Sequence, residues 1–260
     1  MIPTDLFILG IGGIFAGILA GFLGIGGGTV MVPLLVALGY EPIQAVATSA
    51  LAITITASSG TLQNWRMGYI TPKKVILLAL PALFAAQVGV YLAEQFSSTL
   101  LLLGFGLLML INIYLFEFRK GVIAKQKDTE NNSEKQEKVN PTIARIITGG
   151  TGGLLAGLFG VGGGVIMVPL QILLLGEPIK VAIQTSLGVI VVTSISASFG
   201  HYLNGNIVFV GGLILGFGGL IGAQISTRFL PKLPSSVVSV AFRSLLVILA
   251  IYTFWKAWEM

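Results

Sequence analysis

Apolar residues run along this chain in blocks of about 20, with polar residues gathered in the gaps between them. That is the length a helix needs to cross a bilayer. The blocks divide into five helical segments per half. In the first half they cover roughly residues 5–23, 29–39, 42–64, 72–95 and 98–118. In the second they cover roughly 142–159, 165–175, 179–203, 206–230 and 235–256. The second segment of each half is too short. Eleven residues (29–39) reach about 16 Å, half of the hydrocarbon core, so 29–39 and 165–175 are predicted half-helices. Each follows a glycine cluster. Non-helical backbone is not tolerated against lipid, so these breaks must be buried in protein or face a watery cavity.

The two halves repeat each other. Gly21-Phe22-Leu23-Gly24-Ile25-Gly26-Gly27-Gly28 is followed by Thr29-Val30-Met31-Val32-Pro33-Leu34. Gly157-Leu158-Phe159-Gly160-Val161-Gly162-Gly163-Gly164 is followed by Val165-Ile166-Met167-Val168-Pro169-Leu170. The offset is 157 − 21 = 136 residues. Glu41-Pro42-Ile43 matches Glu177-Pro178-Ile179 at the same offset. One inserted residue then makes it 137, where Thr48-Ser49 matches Thr185-Ser186, Asn64 matches His201 and Gln87 matches Gln224. Ordered matches across most of each half indicate a duplication, with transmembrane repeats at 1–118 and 141–260 around a charged linker, 119–140. The linker is rich in Lys, Glu, Gln and Asn and is expected to lack a packed structure.

Composition supports a membrane solvent. Hydrophobic residues make up 55% and charged residues 10%, with a mean hydropathy of +0.94. Soluble domains carry about 25% charged residues. Met1 to Asp5 lacks the positive stretch of a signal peptide, and the first segment recurs after Asn140, so it is read as part of the fold. Cysteine is absent, which removes disulfides and thiolate chemistry. The net charge of +5 sits in short loops, which is a topology signal rather than a nucleic-acid surface.

Loop charge then gives orientation. Lys and Arg in the linker place it on the cytoplasmic side. The loop after the third segment carries Arg66, Lys73 and Lys74 in the first half, but its counterpart around Asn204 carries none. The loop after the fourth segment shows the reverse, with Glu94 against Arg228 and Lys232. Equivalent loops are thus expected on opposite sides. The fold class read from this is an all-α polytopic membrane protein of two inverted repeats, each with a glycine-broken helical hairpin and about three full crossings. A parallel arrangement of four plus four crossings is the rival.

The glycine breaks are the leading candidate site. They let the backbone turn sharply and approach a ligand, and the half-helix that follows presents unpaired N–H groups and a positive dipole end. At mid-membrane this is an anion site without a formal charge. The candidate substrate-binding residues are Gly26, Gly27, Gly28 and Thr29 with Gly162, Gly163 and Gly164. Hydroxyls of Thr48, Ser49, Thr185 and Ser186, and amides of Gln87 and Gln224, would complete the shell. Back-bonding of the hydroxyls to their own helices and interhelical packing of the amides are the alternatives. Asn64, Arg66, His201 and Asn204, at the ends of the third segments, are candidates for gating or coupling. All ten acids fall at segment ends or in the linker, so a cation substrate is not expected and proton coupling has no evident carrier. The chain shows no nucleophile–base set for catalysis, no metal-ligand cluster and no cofactor motif; the cluster lacks the Lys-Ser or Lys-Thr of a phosphate-binding loop.

The repeated motifs Gly-Ile-Gly-Gly-Gly (24–28) and Gly-Val-Gly-Gly-Gly (160–164), each followed by Val-Pro-Leu (32–34, 168–170), together with the Thr-Ser pairs, resemble the TauE/SafE family of membrane permeases. The resemblance covers nearly the whole chain outside the linker. It implies a transporter of small sulfur-containing anions, such as sulfite or organosulfonates, most naturally an exporter in a bacterial inner membrane. The expected partners are that small anion and the lipid bilayer, with no nucleic acid; a homo-oligomer is left open. A carrier or channel for another small anion, such as a carboxylate, and a non-transporting membrane scaffold are the alternatives.

Overall fold

The computed structural model describes residues 3–129, 140–230 and 235–259, and all of its regular structure is α-helix. The first half holds α1 (Pro3–Leu23), α2 (Gly28–Ala37), α3 (Pro42–Arg66), α4 (Pro72–Gln95) and α5 (Ser98–Thr129). The second holds α6 (Pro141–Phe159), α7 (Gly164–Leu175), α8 (Ile179–Leu203), α9 (Phe209–Phe229) and α10 (Ser235–Glu259). Proline opens α3, α4 and α6, where its missing N–H has no intrahelical partner to lose. The Asn140 side chain caps α6 by accepting from the Thr142 N–H.

Among the described residues six helices are long and apolar enough to cross a membrane: α1, α3, α4, α6, α8 and α9. The short α2 and α7, of 10 and 12 residues, stand where the half-helices are predicted. Two boundaries differ from the sequence reading. Helix α5 continues to Thr129, past the expected end at 118, so the first part of the 119–140 segment is helical. Arg119, Lys120, Ala124, Lys125 and Gln126 are good helix formers, and no proline interrupts them. The rest of the linker, 130–139, lies outside the described residues, as does Lys232. Helix α9 starts at Phe209 rather than 206, because the Thr48 hydroxyl accepts the Val208 N–H just ahead of it.

Small residues let the long helices touch backbone to backbone. A Cβ at Gly13 or Gly17 of α1 would collide with Leu215 or Gly219 of α9. The same holds for Gly149, Gly153 and Gly157 of α6 against Leu78, Ala82 and Ala86 of α4. Numbers rise together in both pairs, so α1 runs parallel to α9, and α6 to α4. By the same criterion Gly212 and Gly216 set α9 parallel to α3, through Thr48 and Ala52. Gly188 and Gly200 set α8 parallel to α4, through Val75 and Gln87. Helices α3 and α8 meet in falling register: Ala50 and Ala197 share a cluster with Val90, while Gly60 faces Leu187. They are therefore antiparallel.

The outward faces are greasy at equivalent places. Ile76, Leu80, Phe84 and Val88 of α4 are exposed, as are Leu213, Phe217, Ile221 and Ile225 of α9. Such stripes suit lipid tails, and the buried core lies between the two sets, around Ile53 and Ile190 at the middles of α3 and α8.

Candidate functional site

The two glycine breaks meet at this centre. Gly24, Gly26, Gly27, Gly160, Gly162 and Gly163 all have positive φ, and residues 24–30 and 156–165 are all buried. Gly27 (φ 84°) and Gly163 (φ 80°) are the residues immediately before α2 and α7, and only glycine takes that conformation without strain. A Cβ at Gly28 would collide with the Gly160 carbonyl, and one at Gly164 with the Gly24 carbonyl. Gly26 and Gly162 both lie against Ile53 and Ile190, with Cβ positions 3.0–3.2 Å from their methyl groups. The breaks thus wrap one isoleucine pair and press on each other.

Polar groups fix this contact. Ser49 Oγ lies 2.8 Å from the Gly160 carbonyl and 2.8 Å from the Val46 carbonyl. Thr193 Oγ1 lies 3.2 Å from the Gly162 carbonyl. The Thr193 hydroxyl was not singled out from the sequence, although it repeats Thr56 at the offset of 193 − 56 = 137. Ser186 Oγ accepts from Gln171 Nε2 at 2.8 Å. Gln171 too was missed, because its counterpart in the first repeat is Leu35.

The predicted shell is therefore divided. The hydroxyls of Thr48 and Ser186 are engaged with the protein itself, and Ser49 holds the opposite break. Thr185 is buried beside Ser186. The two glutamines act as equivalent clamps between helices: Gln87 Nε2 donates to the Ser196 carbonyl at 2.6 Å, and Gln224 Nε2 to the Ser59 carbonyl at 3.2 Å. These are the same positions in the two repeats, since 196 − 59 = 137. Arg66 and Asn204 are exposed at the ends of α3 and α8, 17 residues past Ser49 and 18 past Ser186, each about 25 Å along its helix. Asn64 and His201 are fully buried at equivalent positions close by.

What stays unsatisfied is informative. The N–H groups of residues 25–27 and 161–163, which lie outside the helices, donate to no backbone carbonyl among the described residues. Thr29, fully buried in the first turn of α2, has a hydroxyl without a partner. Its counterpart on α7 is Val165. Buried donors without partners are costly, and they converge where two helix N-termini add positive potential. Among the described residues no group of three or more His, Cys, Asp or Glu could hold a metal ion.

Comparison with known proteins shows the family. Residues 9–253 match the family model described as "Sulfite exporter TauE/SafE". The probable membrane transporter protein YunE of Bacillus subtilis (strain 168) is 31% identical over 250 residues, covering 86% of this chain and 90% of the relative. A probable membrane transporter protein of Xylella fastidiosa (strain Temecula1 / ATCC 700964) is 27% identical, covering 99% and 97%. The probable membrane transporter protein MJ0441 of Methanocaldococcus jannaschii is 30% identical, covering 75% and 71%. No solved structure matches the chain. Six membrane-length helices, two buried glycine breaks and a family match over nearly the whole length lead to one conclusion: the chain is an integral membrane transporter of the TauE/SafE family.

Proposed function

We propose that this transporter exports small sulfur-containing anions, sulfite or an organosulfonate, which bind between the two glycine breaks. The observation that carries this reading is the meeting of the two glycine breaks, whose N–H groups at residues 25–27 and 161–163 donate to no backbone carbonyl among the described residues, with the orphaned Thr29 hydroxyl beside them. Two half-helix N-termini favour negative charge where lipid forbids a bare one. The family description, a sulfite exporter, supports the sulfur-anion class. Export is downhill for an anion in a cell negative inside, by about 2.3 kcal/mol per charge per 100 mV.

The transport cycle follows from the same contact. In the conformation described, Gly28 presses on Gly160 and Gly164 on Gly24, so no anion fits between them. Binding then requires the breaks to part. We take the halves, 1–118 and 141–260, as inverted repeats that rock against each other, bridged on the cytoplasmic side by 119–140. Support comes from the antiparallel run of α3 and α8, which are equivalent helices, and from the opposite charge of equivalent loops.

Flux in liposomes against sulfite, sulfoacetate, sulfate and lactate tests the substrate. Saturable, counter-transportable sulfite or sulfoacetate flux is expected. Preference for lactate would reassign the substrate to carboxylates, and flux without saturation would point to a channel. Thr29→Val locates the site: the second repeat already carries valine there, so the fold accommodates it, and loss of flux with unchanged stability is expected.

A further inference from the structure

At the loop end of α8, a second polar site is built that has no counterpart in the first repeat. His201, the only histidine of the chain, has a fully buried side chain. Its Nε2 lies 3.0 Å from the Gly157 carbonyl oxygen of α6. A carbonyl only accepts, so Nε2 carries the hydrogen. The other ring nitrogen, Nδ1, has no hydrogen-bond partner and lies 3.8 Å from Oε1 of Glu94, at the end of α4. The Asn206 side chain donates to that same oxygen. With Nε2–H committed, a neutral ring turns a buried lone pair toward a carboxylate. One proton between Nδ1 and Oε1 removes that opposition.

We propose that Glu94 and His201 form a proton-binding pair that couples proton movement to the anion flux proposed above. The Glu94 side chain is 29% exposed and the His201 side chain 0%, so the pair leads from the aqueous edge to the interior. Glu94 is the charged group set against the ring. Helix α6 brings the Gly157 carbonyl, and its ionisable residue Arg145 is 157 − 145 = 12 residues away, more than three turns. Helix α3 meets this end of α8 through Ala50 beside Ala197, and its Arg66 is at the opposite end. The loop brings Asn204 and Asn206, which do not titrate. The first repeat carries Asn64 at the histidine's position, an amide that cannot take up a proton. The device therefore exists at one end of the protein only.

This inference rests on the transport reading for its role but not for its chemistry, so two measurements separate them. The single histidine can be followed by 15N NMR of the purified protein across pH. Nδ1 is expected to take up a proton within the pH range over which the protein stays folded. In Glu94→Gln that transition is expected to move or to vanish. A transition identical in Glu94→Gln, or a ring that does not titrate in that range, overturns the pair. In liposomes carrying a pH dye, the parent is expected to move protons with sulfite. His201→Asn, which copies Asn64, should keep sulfite exchange but lose the accompanying proton signal. An unchanged proton signal in His201→Asn overturns the coupling. No anion flux in the parent overturns the transport reading, while the ring titration still decides the proton site.

Discussion

The hydroxyl of Ser49 on α3 reaches the carbonyl of Gly160, 2.8 Å away and 111 residues along the chain. It joins the third helix of one repeat to the glycine break of the other. Gly160 Cβ space is closed by the same serine and by Val46, and Gly24 meets Ile183 in the equivalent way. Each break is therefore seated on the opposite repeat, so a movement of one half must remake the contacts that fix the other's break.

Ser49→Ala should loosen this seat. It removes the donor from a buried carbonyl, a loss of about 1–2 kcal/mol. Thermal unfolding of the purified protein should shift down, and sulfite flux should fall with it. An unchanged midpoint would show that the Gly160 carbonyl is satisfied by other means.

Glycine substitutions should change sign with position. Gly163→Ala places a Cβ in collision with the Gly152 carbonyl at φ 80°, whereas at Gly27 the Ala16 carbonyl is 2.9 Å from that position. The left-handed conformation alone costs a side chain about 1–2 kcal/mol. Gly163→Ala should thus be the more damaging of the two. Gly150, within helix α6, has nothing within 4 Å of its Cβ position, and Gly150→Ala should stabilise by about 0.5–1 kcal/mol. Midpoints measured side by side check the order.

The glutamine clamps should be unequal. Gln87 Nε2 has two acceptors, the Ser196 carbonyl at 2.6 Å and its hydroxyl at 2.8 Å, while Gln224 has the Ser59 carbonyl at 3.2 Å. Gln87→Leu is expected to destabilise by about 1–2 kcal/mol and Gln224→Leu by less. A larger flux defect than stability defect in either variant would return that amide to the substrate shell.

Topology can be read with introduced cysteines, because the chain has none. Lys73 and Asn204 are exposed and follow the ends of α3 and α8, which run antiparallel. Lys73→Cys should be protected from an impermeant thiol reagent added outside, and Asn204→Cys should react. Labelling of both from one side would favour parallel repeats.

Lys74 and Glu177 pair at 2.7 Å between the start of α4 and the loop before α8, joining the two repeats near the surface. The lysine side chain is 40% exposed, so the pair should contribute at most about 1 kcal/mol, screened by salt. Lys74→Gln is expected to shift the unfolding midpoint little at high ionic strength. A large, salt-independent loss would mean that the pair carries more of the interface than its exposure allows.

The sequence by itself determined the solvent, the helices, the two breaks, their equivalence and the family. Each of these is local or repeats in order: blocks of 20 apolar residues, a glycine cluster before a short helix, motifs spaced by 136. Glycine's tolerance of positive φ made the turns at Gly27 and Gly163 legible before any contact was known. The site was legible as a place but not as a set of bonds. Helices that are apolar on most sides give little periodic signal of which face meets which neighbour. Hence only the tertiary structure decided that Gln87 and Gln224 clamp helices, that Ser49 holds the opposite break, and that Thr29 is left without a partner. It also brought Glu94, which the sequence placed merely at a segment end, beside the buried His201. Those pairs lie about a hundred residues apart, and packing between helices, not any local pattern, brings them together.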